Sequence, residues 1–125
     1  MELYKNTSVK EIKLKDINTK NKKIVIKQDI NQNKYGIIIF YSSDCKHCKD
    51  DVYLWSELAD NFKKFNILAY NIYDFKNKNE EIFEYMSVKN LPKIMNITKK
   101  GTLYPFKDTA KYEDMFYLIC KKLKI

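Results

Sequence analysis

The chain's 125 residues, 45% of them apolar and including ten Tyr and seven Phe, suffice for one packed domain (1–125) and are too few for two. Its 24 basic residues are all Lys against 16 acidic ones, a formal charge of +8; with 12 Asn and 15 Ile they point to the codon bias of an AT-rich genome. Without Arg's bidentate fork nucleic acid is not an expected partner, and no apolar run nears the ~18 residues of a membrane span.

Residues 1–8 read as a frayed terminus. Val9 to Ile17 alternates in part, with Ile12 and Leu14 on one side and Lys13 and Lys15 on the other, which predicts a strand with one wet face. Residues 18–22 are turn-like, and Ile24-Val25-Ile26 predicts a second strand. A polar stretch from Gln28 to Lys34 leads to Gly36. Residues 37–41 are continuously apolar, as in a central strand buried on both faces.

After that strand, Ser43 and Asp44 offer N-caps for a helix. Cys48, Val52, Trp55, Leu58 or Ala59, and Phe62 recur at helical spacing along one inward face. Asp50, Asp51 and Glu57 lie early in this helix and Lys63-Lys64 at its end, matching the macrodipole. Residues 67–73 predict a strand and 80–86 a short helix. Residues 93–98 and 102–106 predict a hairpin around Lys99-Lys100-Gly101, with Pro105 marking an edge strand. Residues 112–123 close the chain as a helix. These elements make one α/β domain, with a parallel crossover between strands 37–41 and 67–73.

Cys45-Lys46-His47-Cys48 is a Cys-x-x-Cys pair at the strand-to-helix junction. Free N–H groups and the positive end of the dipole stabilise a thiolate there, which makes Cys45 the nucleophile and Cys48, one turn on, the buried resolving thiol. Cys45, His47 and Cys48 also offer three metal ligands, but their spacing on one helix start makes a poor tetrahedral set without a fourth, and no metal or other external cofactor is expected. Cys120 reads as a buried spectator thiol and Trp55 as core.

With these residues in order, the chain resembles the thioredoxin-like family over about residues 36–123. The resemblance implies a thioredoxin-like fold: a central mixed sheet flanked by helices, here with an atypical N-terminal strand pair and no clear first helix. It implies that Pro92 is a cis-proline facing the dithiol, and that Leu91 presents its backbone to a substrate strand. Asp44, Lys46, Leu91 and Pro92 are thus the expected substrate-side residues.

His47 before the second cysteine is what disulfide isomerases and bacterial disulfide oxidases carry. A protonated His47 and Lys46 favour the Cys45 thiolate, while Asp44 opposes it. Ile39 stands where thioredoxins bury an Asp, so a carboxylate relay is missing; Glu57 or a water is the available substitute.

The expected function is thiol–disulfide exchange with protein thiols and disulfides, by a monomer recycled by a redox partner in the service of cell redox homeostasis. The competing reading is a thioredoxin-fold binding or structural module with an idle cysteine pair. Met1–Asn6 lacks the apolar stretch of a secretory signal, so the expected setting is cytoplasmic or otherwise intracellular. Its alternative is the virion of a large DNA virus, where an AT-rich genome and an oxidising motif meet.

Overall fold

Ile37-Ile38-Ile39-Phe40-Tyr41 lies at the centre of the protein. The computed structural model describes residues 2–20, 23–72 and 91–105. In it β4 (Gly36–Tyr41) is buried along its whole length. It pairs in parallel with β5 (Asn66–Asn71) and antiparallel with β6 (Lys93–Ile97). Outside these lie β1 (Lys10–Ile12), parallel to β5, and β7 (Leu103–Pro105), antiparallel to β6. The order of this mixed sheet is β1-β5-β4-β6-β7. Among the described residues a second sheet holds β2 (Ile17–Lys20) and β3 (Lys23–Ile26), an N-terminal strand pair as expected, though its first strand starts later than the predicted 9–17.

The pleat sends alternate residues of β4 to opposite faces. Ile37, Ile39 and Tyr41 join a cluster with Trp55, Leu58, Ile67, Ala69 and Ile94. Ile38 and Phe40 join the other, with Leu68, Tyr70, Met95 and Ile97. Burying each large apolar side chain contributes roughly 1.5–3 kcal/mol, so a strand buried on both faces anchors the fold. At the start of β4, a Cβ on Gly36 would sit 2.3 Å from the Asn66 carbonyl oxygen, so β4 and β5 close there only around glycine.

A parallel β4–β5 pair needs a crossover. It is made by α2 (Lys46–Asp50) and α3 (Val52–Asn61), where the sequence predicts a single helix. Asp51 ends one and begins the other; its N–H returns to the Lys49 carbonyl, a tighter turn that interrupts the ladder without any proline. Asp51 is buried, not on the wet side of the first turn. Trp55, Leu58 and Ala59 turn inward as their spacing predicts, and Val52 and Phe62 pack at the margin.

The N-terminal quarter departs most from expectation. Residues 2–8 are not frayed: Tyr4 is 1% exposed and packs in the cluster of Ile39 and Trp55. The predicted strand 9–17 is cut by a 3₁₀ turn (Leu14–Asp16), where the Asp16 carboxylate accepts the Lys13 N–H at 2.8 Å. Of the turn-like stretch 18–22, residues 18–20 instead belong to β2, and residues 21–22 lie outside the described residues. Ile17 of β2, with Ile24 and Ile26 of β3, covers the second face of the sheet. The polar stretch after β3 contains a one-turn helix, α1 (Gln28–Asn31), where no clear helix is predicted.

Fully buried Asn31 ties this region to the β6–β7 turn. Its Nδ2 donates to the Thr98 and Lys99 carbonyls at 3.1 and 2.9 Å, and its Oδ1 accepts from Asn66 at 3.1 Å. The Ile26 N–H donates to the Gly101 carbonyl at 2.8 Å, and Val25 forms a single bridge with Thr102. The predicted helices at 80–86 and 112–123, with Cys120, lie outside the described residues.

Candidate functional site

The site begins where β4 ends. The chain leaves the sheet at Tyr41, and the Cys45 N–H donates to the Ser42 carbonyl at 3.1 Å, closing a tight turn. Cys45, not Ser43 or Asp44, is the residue that caps α2. Its sulfur accepts the Cys48 N–H at 3.1 Å, taking the place a cap hydroxyl or carboxylate ordinarily fills. Exposed Asp44 makes no cap and spends its own N–H on the Ser42 hydroxyl at 3.3 Å.

Cys45 and Cys48 form a disulfide with Cα atoms 5.2 Å apart. The two sulfurs differ in surroundings. Cys45 is half-buried at the rim, and Cys48 is 1% exposed in the cluster of Trp55 and Ile39. A reagent from solution therefore meets the Cys45 sulfur first. Lys46 and His47 are exposed on the first turn of α2, beside the disulfide and not in the core.

Across the site, the Leu91–Pro92 peptide bond is cis. The Cys45 Sγ lies 3.6 Å from the Leu91 carbonyl oxygen. The Leu91 side chain packs against both faces of the sheet, which seats this turn at the start of β6. The structure thus gathers Asp44, Cys45, Lys46, His47, Cys48, Leu91 and Pro92 at one end of the sheet. Among the described residues no group of three or more His, Cys, Asp or Glu side chains is arranged to hold a metal ion.

Ile39 is buried in the core, as the sequence implies for that position. Glu57 does not replace the missing carboxylate, because it points to solvent from the outer side of α3. Among the described residues, an acid that reaches this side from the strands of the sheet is Glu11, a residue the sequence reading did not single out. Glu11, Ala69 and Ile39 are register partners across β1, β5 and β4. Glu11 is half-buried and accepts the hydroxyl proton of Tyr41. Burial pushes its carboxyl above the ordinary carboxylate range, against the opposing Tyr41 hydrogen bond. Burial, followed by the Glu11 contact, likewise raises the Tyr41 phenol. An acidic residue inside an otherwise alternating segment is the one sequence signal for it.

This architecture is shared by solved structures. The J-Trx1 fragment of ERdj5 superposes with a TM-score of 0.70 at 16% identity; the match covers 98% of this chain, which spans 56% of that fragment. Thioredoxin f from spinach chloroplast (short form) gives 0.67 at 14% identity, with all of both chains covered. A structure of ferredoxin:thioredoxin reductase with thioredoxin f2 gives 0.65 at 16% identity, covering 93% of this chain and 96% of that one. At these identities the likeness establishes the fold. Residues 13–119 also match the family model Thioredoxin, so the chain belongs to the thioredoxin family.

Proposed function

We propose that this protein exchanges disulfides with protein thiols through Cys45, and that Lys46 and His47 bias it toward donating disulfides. The observation that carries the reading is the asymmetry of the pair: a reachable Cys45 sulfur at a helix start, backed by a buried Cys48.

In the oxidising direction, a client thiolate attacks the Cys45 Sγ. The Cys45–Cys48 bond breaks, a client–Cys45 disulfide forms, and Cys48 leaves as a thiolate. A second client thiolate attacks the client sulfur of that mixed disulfide. Cys45 leaves as a thiolate, the client keeps its disulfide, and the pair is left reduced. In reverse, Cys48 resolves the mixed disulfide.

The Leu91 backbone and Pro92, beside the Cys45 sulfur, take the client segment by strand-like hydrogen bonding, with Asp44 and Lys46 flanking it. Thioredoxin f2 in complex with a reductase supports a protein redox partner that resets the pair. The protein acts as a monomer in an intracellular setting.

Positive charge beside Cys45 stabilises its thiolate and hence the reduced form, so the potential should lie above thioredoxin's roughly −270 mV, toward the isomerase value of about −180 mV. Insulin reduction and scrambled-ribonuclease reactivation test the activity, with Cys45→Ser as control. Equal background rates for both proteins would favour an idle structural module. Equilibration with glutathione tests the bias, and Lys46→Gly/His47→Pro should lower the potential; a wild-type value near −270 mV would remove the oxidant reading.

A further inference from the structure

Glu11 lies outside the dithiol site, yet it ties three parts of the chain together. Its Oε1 accepts the Tyr41 hydroxyl proton from the end of β4 and the Tyr4 N–H at 3.2 Å. The Tyr41 hydroxyl oxygen accepts the Leu3 N–H at 3.2 Å. Two consecutive amides of the N-terminal segment thus hang on two side chains and not on a strand ladder. The Tyr4 ring meets the Tyr41 ring edge-on at 5.5 Å. Leu3 and Cys45 pack against the same buried cluster, which includes Tyr4, Tyr41 and Cys48. The segment is therefore part of the packing that encloses Cys48.

The other carboxylate oxygen, Oε2, is buried with no hydrogen-bond partner among the described residues. An ionised Glu11 leaves charge on an oxygen that is shut off from bulk solvent and meets no donor among the described residues. A protonated Glu11 keeps Oε1 as acceptor of both hydrogen bonds and is far cheaper to bury. Among the described residues, the titratable and charged groups acting on Glu11 are Tyr41 of β4, Glu2 of the segment, and Lys13 after β1. Glu2 and Lys13 are paired with each other, so Lys13 is not dedicated to Glu11. Opening the segment admits water to Oε2 and removes the penalty for ionisation.

We propose that Glu11 and Tyr41 form a protonation-dependent latch on residues 2–9. While Glu11 carries its proton the segment lies closed against the cluster that encloses Cys48, and it loosens as the proton leaves for solvent. Only the Glu11 O–H bond changes, so the latch stands whether or not Cys45 exchanges disulfides with proteins. The closed segment holds the proton more tightly than the open one. Between those two affinities, each pH unit raises the open-to-closed ratio roughly tenfold.

Amide hydrogen exchange on the full-length oxidised protein, from about pH 4 to pH 8, tests this as protection factors corrected for intrinsic exchange. The Glu11 carboxyl carbon shift, followed in parallel, fixes the titration window. Leu3 and Tyr4 should lose protection at up to roughly tenfold per pH unit inside that window, while Ile38 and Ile39 hold theirs. Glu11→Gln keeps the acceptor oxygen and cannot ionise, so its profile should be flat and high. Tyr41→Phe removes the acceptor of the Leu3 amide and should lower Leu3 protection at every pH. A flat wild-type profile, a fall that persists in Glu11→Gln, or unchanged Leu3 protection in Tyr41→Phe each overturns the latch.

Discussion

Glu11 and Cys45 illustrate how position decides the chemistry of a side chain. Cys45 could be read from its neighbours alone, because the groups acting on it lie within three residues: an apolar strand behind, a helix start ahead, Cys48 one turn on. Glu11 could not, because its partner Tyr41 is thirty residues away and meets it only once β1 has docked beside β5. The sign of its contribution to global stability follows from burial. A carboxyl held above its ordinary value of about 4.3 binds its proton more tightly in the folded chain than in the unfolded one. As pH rises from that ordinary value through the raised folded one, the unfolded chain has already released the proton and the folded chain still holds it. Stability therefore falls through this window, and Glu11→Gln should flatten the fall in urea midpoints measured on its two sides. Trp55 is a simpler case, since its helical spacing predicted a core position and it is fully buried. Trp55→Ala should cost about 3–5 kcal/mol, read from urea unfolding followed by circular dichroism.

At the scale of elements, strands with uniform patterns were legible and junctions were not. β4, β5, β6 and β7 fall within a few residues of their expected bounds because apolar runs, the Gly101 turn and Pro105 mark them. The sequence reading ran β1 on to Ile17 and took most of β2 for a turn, because the 3₁₀ turn at Leu14–Asp16 interrupts the strand without breaking its alternating pattern. The break at Asp51 was invisible for a related reason: Val52, Trp55 and Leu58 continue the spacing begun by Cys48, although the ladder is interrupted between them. The β6–β7 turn depends on a conformation and a close approach together. Gly101 has φ +90°, and a Cβ there would lie 2.3 Å from the Ile26 carbonyl oxygen. Gly101→Ala should cost on the order of 2–4 kcal/mol, combining left-handed strain with overpacking. The same variant should lose hydrogen-exchange protection first at the Ile26 amide, which donates to the Gly101 carbonyl. An unchanged midpoint with Ile26 still protected would separate β3 from that turn.

For the whole molecule, redox state and fold stability are two readings of one cycle. The oxidised and reduced proteins differ in stability by the gap between the folded and unfolded potentials of the Cys45–Cys48 pair, with 30 mV equal to about 1.4 kcal/mol. A pair near −180 mV, compared with one at −270 mV, leaves the oxidised form less stable relative to the reduced form by about 4 kcal/mol. Urea midpoints of both forms should therefore place the reduced protein at or above the oxidised one. A reduced form several kcal/mol weaker would contradict an oxidant poise independently of any client assay. The +8 charge, the most visible feature of the composition, proved the least informative about the site: Lys46 and His47 stand beside the disulfide, and the sequence identified them by their place between two cysteines.

The first 26 residues also touch both borders of the main sheet. β1 lies along β5 at one border, and β3 reaches the other through the Val25–Thr102 bridge beside β7. Open strand borders are templates on which a second chain can add. One stretch of chain thus shields both, and at three residues β1 offers little border of its own. This stretch is made before the strands it covers and has nothing to cover until β5 and β7 emerge. The chain is consequently most prone to aggregate in the interval when the sheet's inner strands exist and their guard has not yet docked.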